Sequence, residues 1–177
     1  MARIDDFKAN LIGGGYRVNQ FRVTITPPPG IAIGLDVRRT SFLCKATTLP
    51  AVELQPITLK YRGRSVIIAG DRETTGTWST TFYMDTDFMI MNALQRWSNG
   101  INDFDLNTGV ASLSDYATDL TAEMIDRDDT VLKTYIFKNA WPISVGGITM
   151  STEDASDIGK FDCTWKYQNY SISGVNF

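Results

Sequence analysis

Four stretches of this 177-residue chain alternate apolar and polar side chains with a period of two, and that rhythm constrains the fold more than any other feature. Phe21, Val23 and Ile25 alternate with Arg22, Thr24 and Thr26 until Pro27-Pro28-Pro29-Gly30 ends the run, because a proline triplet cannot donate to a ladder. Ile57, Leu59 and Tyr61 alternate with Thr58, Lys60 and Arg62 up to Gly63. Trp78, Thr80, Phe82 and Met84 oppose Thr77, Ser79, Thr81 and Tyr83, and Phe161, Cys163, Trp165 and Tyr167 oppose Asp162, Thr164, Lys166 and Gln168. Further strands are expected at Val37 to Cys44, Ser65 to Ala69 and Val131 to Phe137.

One segment has helical spacing instead. From Thr86 to Ser98 the apolar Phe88, Met89, Ile90, Met91, Ala93, Leu94 and Trp97 leave only Asn92, Gln95 and Arg96 clearly polar, with Asp85 or Thr86 as cap and Gly100 after the last turn. A helix so apolar is covered on more than one side, by its own sheet or by a neighbouring subunit. The expected architecture is mainly β: a closed or nearly closed antiparallel sandwich or barrel with one flanking α-helix, in a single domain over 1–177. Within it, residues 1–16 read as a flexible N-terminal arm hinged at Gly13, Gly14 and Gly15, residues 45–64 as an extended loop, and residues 100–130 as an acidic insertion.

Composition narrows the function. The chain has no histidine, which removes Ser-His-Asp and Cys-His nucleophile pairs, His-containing zinc sites and an imidazole base near neutral pH. Cys44 and Cys163 are 119 positions apart, each in an alternating run, and read as reduced core thiols, with a disulfide as the alternative. The N-terminus lacks the apolar core of a signal peptide and no run is long enough for a membrane span, so the expectation is a protein kept in the cytoplasm until it is used.

Candidate chemistry fails on detail. Asp103, Asp105 and Asn107 occupy the first three ligand positions of a calcium loop, but Thr108 stands where the sharp turn needs Gly and Ser114 where a bidentate Glu should close the site. Gly13-Gly14-Gly15 lacks the Gly-Lys-Ser/Thr ending of a phosphate loop. The neighbouring acids Asp85 with Asp87 and Asp128 with Asp129 are those of a solvated loop rather than of a split acid–base pair across a cleft. Lys60, Arg62, Arg64 and Arg72 form the one basic cluster with nucleic-acid character, and it fits the outer face of a strand equally well. Neither catalytic residues, a metal site nor a cofactor is expected.

Charge is unevenly placed. The net charge of −3 divides into residues 1–72, with 11 Lys/Arg against 5 Asp/Glu (+6), and residues 73–177, with 6 against 15 (−9). The acidic stretch is either a solvated loop or one of two opposite-sign surfaces through which copies attract head to tail.

Three segments carry more than generic β character. They are Phe42-Leu43-Cys44-Lys45-Ala46-Thr47-Thr48-Leu49-Pro50 with Gly63-Arg64 and Ile68-Ala69-Gly70-Asp71-Arg72 leading into Trp78, Phe82, Met84 and Asp85; Ala140-Trp141-Pro142-Ile143-Ser144-Val145-Gly146; and the closing Phe161, Trp165 and Tyr167. In this order they resemble the tail tube proteins of T-even-like contractile-tailed bacteriophages, from about Asn19 onward. The resemblance implies a β-sandwich or barrel subunit that forms hexameric rings. The rings stack into a hollow tube that conducts viral DNA into the host cell. It implies as partners the chain itself, a tail sheath protein, a baseplate tube initiator and a tail terminator, with a tape-measure protein and DNA in the lumen and no membrane. The implied location is the virion tail, after assembly in host cytoplasm.

Related readings are a baseplate-proximal tube initiator or adaptor, and the inner tube of a genome-free contractile injection particle. A small hydrolase or calcium-dependent binding module is the reading from a different class. A tube that passes DNA without holding it needs a wall poor in Lys and Arg, for which Thr77, Ser79 and Thr81 are lumen-facing candidates, ordinary solvent being the alternative. Leu49, Val52 and Leu54, kept extended by Pro50 and Pro56, are candidates for ring stacking together with Lys60, Arg62 and Arg64. The Pro27–Gly30 turn with Ile31 to Leu35 and the acidic stretch exceed what a minimal tube subunit of this kind needs.

Overall fold

The alternating runs become antiparallel strands in the computed structural model, which describes residues 3–148, 150–151 and 157–175. In chain order the elements are α1 (Ile4–Asn10), β1 (Phe21–Thr24), α2 (Val37–Leu43), β2 (Cys44–Thr48), β3 (Leu54–Tyr61), β4 (Arg64–Arg72), β5 (Gly76–Tyr83), α3 (Met89–Ile101), α4 (Leu113–Tyr116), β6 (Thr118–Ile125), β7 (Val131–Val145), β8 (Lys160–Tyr167) and β9 (Asn169–Gly174). Residues 1 and 2 of the expected arm lie outside the described residues.

Two sheets share one bent ribbon. The first half of β7 pairs with β6 on one side and β9 on the other, and β6 pairs with β1. The second half of β7 pairs with β8, followed by β5 and β2. β8 and β9 are one run interrupted at Gln168, so β7 and β8–β9 turn together from one sheet into the other. The turn is built at Asn139, which takes a left-handed φ of 50° and donates its N–H to Asp119 Oδ1 at 3.0 Å. Asparagine is among the few residues that tolerate this conformation.

The sheets meet through aromatic side chains. Trp78 of β5 stacks on Phe137 of β7 with ring centroids 4.3 Å apart, and Trp97 of α3 meets Trp165 of β8 edge-on at 5.5 Å. All four are fully buried, each contributing about 4–6 kcal/mol of transfer free energy by area. Their polar atoms are satisfied: Trp78 Nε1 donates to Thr47 Oγ1 (2.7 Å), Trp165 Nε1 to Thr80 Oγ1 (2.9 Å) and Trp97 Nε1 to the Tyr116 carbonyl (2.7 Å).

Several expectations change. The sandwich is open rather than a closed barrel, because β1 and β2 face each other across a seam without pairing. Residues 37–43 form a helix and not a strand: the Asp36 carboxylate accepts the Arg39 N–H at 3.1 Å as an N-cap, and the Arg39 guanidinium holds Asp85 and Asp87, each at 2.7 Å. The long helix starts at Met89, three residues later than expected, after Phe88 in a left-handed conformation. Gly100 lies inside it. A Cβ there would come within 2.6 Å of Ile31, so this glycine serves close packing and not termination.

The 45–64 segment is no loop, since it contains most of β2 and all of β3. The 100–130 stretch is no insertion either: it contains α4 and β6, whose Leu120, Ala122 and Ile125 are buried. Cys44 and Cys163 are free and buried. They flank β5 from opposite sides, in register with Phe82 and Thr80, so two strand spacings of ~4.8 Å hold them beyond disulfide reach.

Candidate assembly surfaces

β3 and β4 form a hairpin whose register pairs Ile57 with Ile68, Leu59 with Val66 and Tyr61 with Arg64. Arg62 and Gly63 turn the chain with φ of 49° and 79°, the signs a two-residue type I′ turn requires. No residue of either strand is buried, and among the described residues neither strand makes more than marginal contact with any element but the other. The hairpin is nevertheless two-faced. One face carries Ile57, Leu59, Val66 and Ile68, each 45–50% exposed, and the other carries Pro56, Thr58, Lys60, Ser65, Ile67 and Ala69. A two-stranded ribbon alone is marginal in water, and four half-exposed aliphatic side chains on one face form the patch that marks an interaction site.

The stacking candidates therefore separate. Lys60, Arg62 and Arg64 gather at the hairpin tip. Leu54 opens β3 opposite Arg72, and Val52 is exposed in the connection before it. Leu49 is half-buried and packs against the core. The connection is tied down by Tyr170, whose hydroxyl donates to the Ala51 carbonyl at 3.3 Å. The aliphatic face itself escaped the sequence reading, although its alternation is visible there; the same pattern describes a strand that buries its apolar face at home and one that buries it elsewhere.

The seam between β1 and β2 opens into a cleft of about 590 Å³ lined by Tyr16, Val18, Phe21, Leu49 and Met124, with Lys45 and Glu123 among its polar residues. Glu123 is paired with Arg22 at 3.5 Å. The arm begins at this mouth. Its helix α1 buries no side chain, and Gly13, Gly14 and Gly15 follow it with φ of 66°, 73° and 83°, values open to glycine.

Thr77, Ser79 and Thr81 share the outer face of β5, beside Thr48 of β2 and Asp162, Thr164 and Lys166 of β8. Thr81 Oγ1 donates to Asp162 Oδ1 at 2.6 Å. The outer face of the other sheet carries Thr24, Thr121, Thr134, Ser171 and Ser173 around the Arg22–Glu123 pair, with the apolar Ile136 between Thr121 and Ser171.

At the end of α3 a short loop presents Phe104 to solvent, 83% exposed, with Leu106 at 74%. The loop is built by Asp103: its Oδ1 accepts the N–H groups of Asp105 (2.9 Å) and Leu106 (3.0 Å), and its Oδ2 accepts Asn99 Nδ2 at 3.0 Å. Donation from the Leu106 and Asp105 N–H groups and from Asn99 holds the Asp103 carboxyl below the usual range. The residues that suggested the start of a calcium loop are thus occupied in fixing a turn.

The comparisons agree with this architecture. A model of the family described as phage tail tube protein matches residues 16–173. The tail tube protein of Serratia phage KSP90 is 27% identical over 169 residues, 94% of this chain and 95% of that protein. Tail tube protein gp19 of Enterobacteria phage T4 is 26% identical over 163 residues, 91% and 94% of the two chains. Among solved structures, the tube-terminating cap of the anti-feeding prophage aligns with a TM-score of 0.63 at 15% identity, over 90% of this chain and 91% of that one. A chain of the sheath–tube complex of an extracellular contractile injection system, PVC, in the extended state, aligns at 0.60 and 15%, over 99% and 100%.

Proposed function

This chain belongs to the phage tail tube protein family, and from that premise we propose that its copies close into hexameric rings which stack through the β3–β4 hairpin into a tube that conducts DNA. The chain is a structural tube subunit. The observation that carries the stacking is the hairpin: an amphipathic ribbon that packs only marginally on the described residues of its own subunit and leaves Ile57, Leu59, Val66 and Ile68 half-exposed.

The rest follows from where the edges lie. Each sheet ends in two unpaired edge strands, β1 and β9 in one, β2 and the second half of β7 in the other. Unpaired edges on opposite sides suit a head-to-tail contact, which closes into a ring when the rotation permits. The hairpin leaves the body at the end of β5 near Gly76, away from Tyr83 at the other end, so it extends toward a second ring. Thr77, Ser79 and Thr81 form the lumen wall, uncharged and hydroxylated, with the cation of Lys166 beside Thr77 offset by the Asp162 carboxylate on the same face. Outside the rings, sheath, baseplate initiator and terminator meet the tube, with the tape-measure protein and DNA passing inside. The subunit acts in the virion tail after assembly in host cytoplasm, and performs no catalysis.

Aspartate at Ile57, Leu59 and Ile68 tests the reading. Because no residue of the hairpin is buried in its own subunit, the triple variant should melt close to the parent chain. Electron microscopy of the purified variant should show rings without tubes, while tubes of ordinary length would overturn the role of the hairpin.

A further inference from the structure

We propose that Phe104 of one copy inserts into the seam cleft between β1 and β2 of its lateral neighbour, so that the acidic loop at the end of α3 is the key of the ring contact. The inference rests on the tube-subunit reading and names the residues that close the ring.

The loop spends several hydrogen bonds on holding an aromatic side chain out in water. Besides the bonds to Asp103, the Phe104 N–H donates to Asn99 Oδ1 at 3.1 Å, the Asp103 N–H to the Thr108 carbonyl at 2.8 Å, and the Asn107 N–H to the Asp103 carbonyl at 3.1 Å. Asn107 adopts a left-handed φ of 51° to complete the turn. A fixed turn loses little freedom on binding, and a rigidly mounted aromatic ring is the kind of group that dominates an interface. The described residues of its own subunit leave that ring 83% exposed.

The complement lies across the molecule. Phe104 sits beside Trp141, Pro142 and Ile143 of the second half of β7, the last strand of its sheet, whereas the cleft adjoins β2, the first. A contact between the two is therefore head to tail, as ring closure requires. The cleft, about 590 Å³ and lined largely by apolar side chains, is large enough to take an aromatic side chain such as Phe104.

Charge matches as well. Phe104 stands between Asp103 and Asp105, while the cleft mouth carries Lys45, with Arg17 between the lining residues Tyr16 and Val18. Glu123, the acid of the cleft, is already paired with Arg22.

The test uses the full chain. Phe104→Glu places a charge where the ring would enter, at a position too exposed to matter for folding. The variant should keep its melting temperature and need at least about tenfold more protein to form rings; rings at the parent concentration would overturn the contact. A double variant, V18C with F104C, should give a ladder of covalent oligomers on oxidation of assembled rings, with neither single variant doing so. Cys44 and Cys163, buried, stay out of the reaction. Assembled rings that yield only monomers on a non-reducing gel would overturn the contact and leave the tube reading intact. Monomers in place of rings from the unmodified chain would overturn both. An F104E chain that forms parent-like rings but no longer binds sheath would assign Phe104 to the sheath and overturn its place in the cleft.

Discussion

Trp78 shows how much of the fold rests on single side chains. It stacks on Phe137 across the two sheets, is fully buried and anchors its indole N–H on Thr47. Trp78→Ala should cost about 3–5 kcal/mol by urea denaturation. Gly100→Ala, normally favourable in a helix, should instead destabilise by about 1–3 kcal/mol, since the added methyl meets Ile31 at 2.6 Å. In the sequence Gly100 reads as a helix stop, because a glycine's reason for being there is a neighbour distant in the chain. Burial pushes the Cys44 thiol up from 9.0 to about 12 and raises Cys163 as well. Between those limits the unfolded chain has released its thiol protons while the folded chain still binds them, so stability falls as pH rises above about 9. Equilibrium unfolding from pH 8 to pH 11 should show that decline, and replacing both cysteines with alanine should reduce it to the part that sets in near pH 10 from Tyr16 and Tyr167, whose hydroxyls burial also raises.

Elements were legible where one strand buries one face within its own subunit. β5 and β8 follow from alternation alone, because Trp78, Phe82, Phe161 and Trp165 are large and their partners polar. β6 escaped the same reading: Ala122 is small, and Asp119 and Glu123 fall in an acidic stretch, yet Leu120, Ala122 and Ile125 are buried. Residues 37–43 read as a strand because that reading passes over the local Asp36 cap and because the Arg39 bridge to Asp85 and Asp87 depends on residues ~50 positions away. The hairpin strands were found and their environment was not, since alternation says which face is apolar and not what covers it. The two hydroxylated sheet faces pose the same question for the lumen. Lysine at Thr77, Ser79 and Thr81 should slow DNA ejection while tubes form normally, whereas lysine at Thr121, Thr134 and Ser171 should leave ejection unchanged. The reverse pattern, read by fluorescence of released DNA, would move the lumen wall to the other sheet.

The whole molecule is a sandwich with complementary features on opposite sides: a basic, aliphatic hairpin at one end, and an acid-flanked aromatic residue across from an apolar cleft. The division of charge into +6 and −9 along the chain gives these surfaces their signs. Assembly should therefore slow as salt is raised from 50 mM to 500 mM, where screening shortens the reach of the field, as followed by light scattering. The central claim is that the β3–β4 ribbon is made to be buried by another copy. A helical cryo-electron microscopy reconstruction of tubes grown from the purified chain tests it most directly. It should place Ile57, Leu59, Val66 and Ile68 against the body of a subunit in the adjacent ring; a hairpin standing free in solvent, or folded back on its own subunit, would contradict the claim.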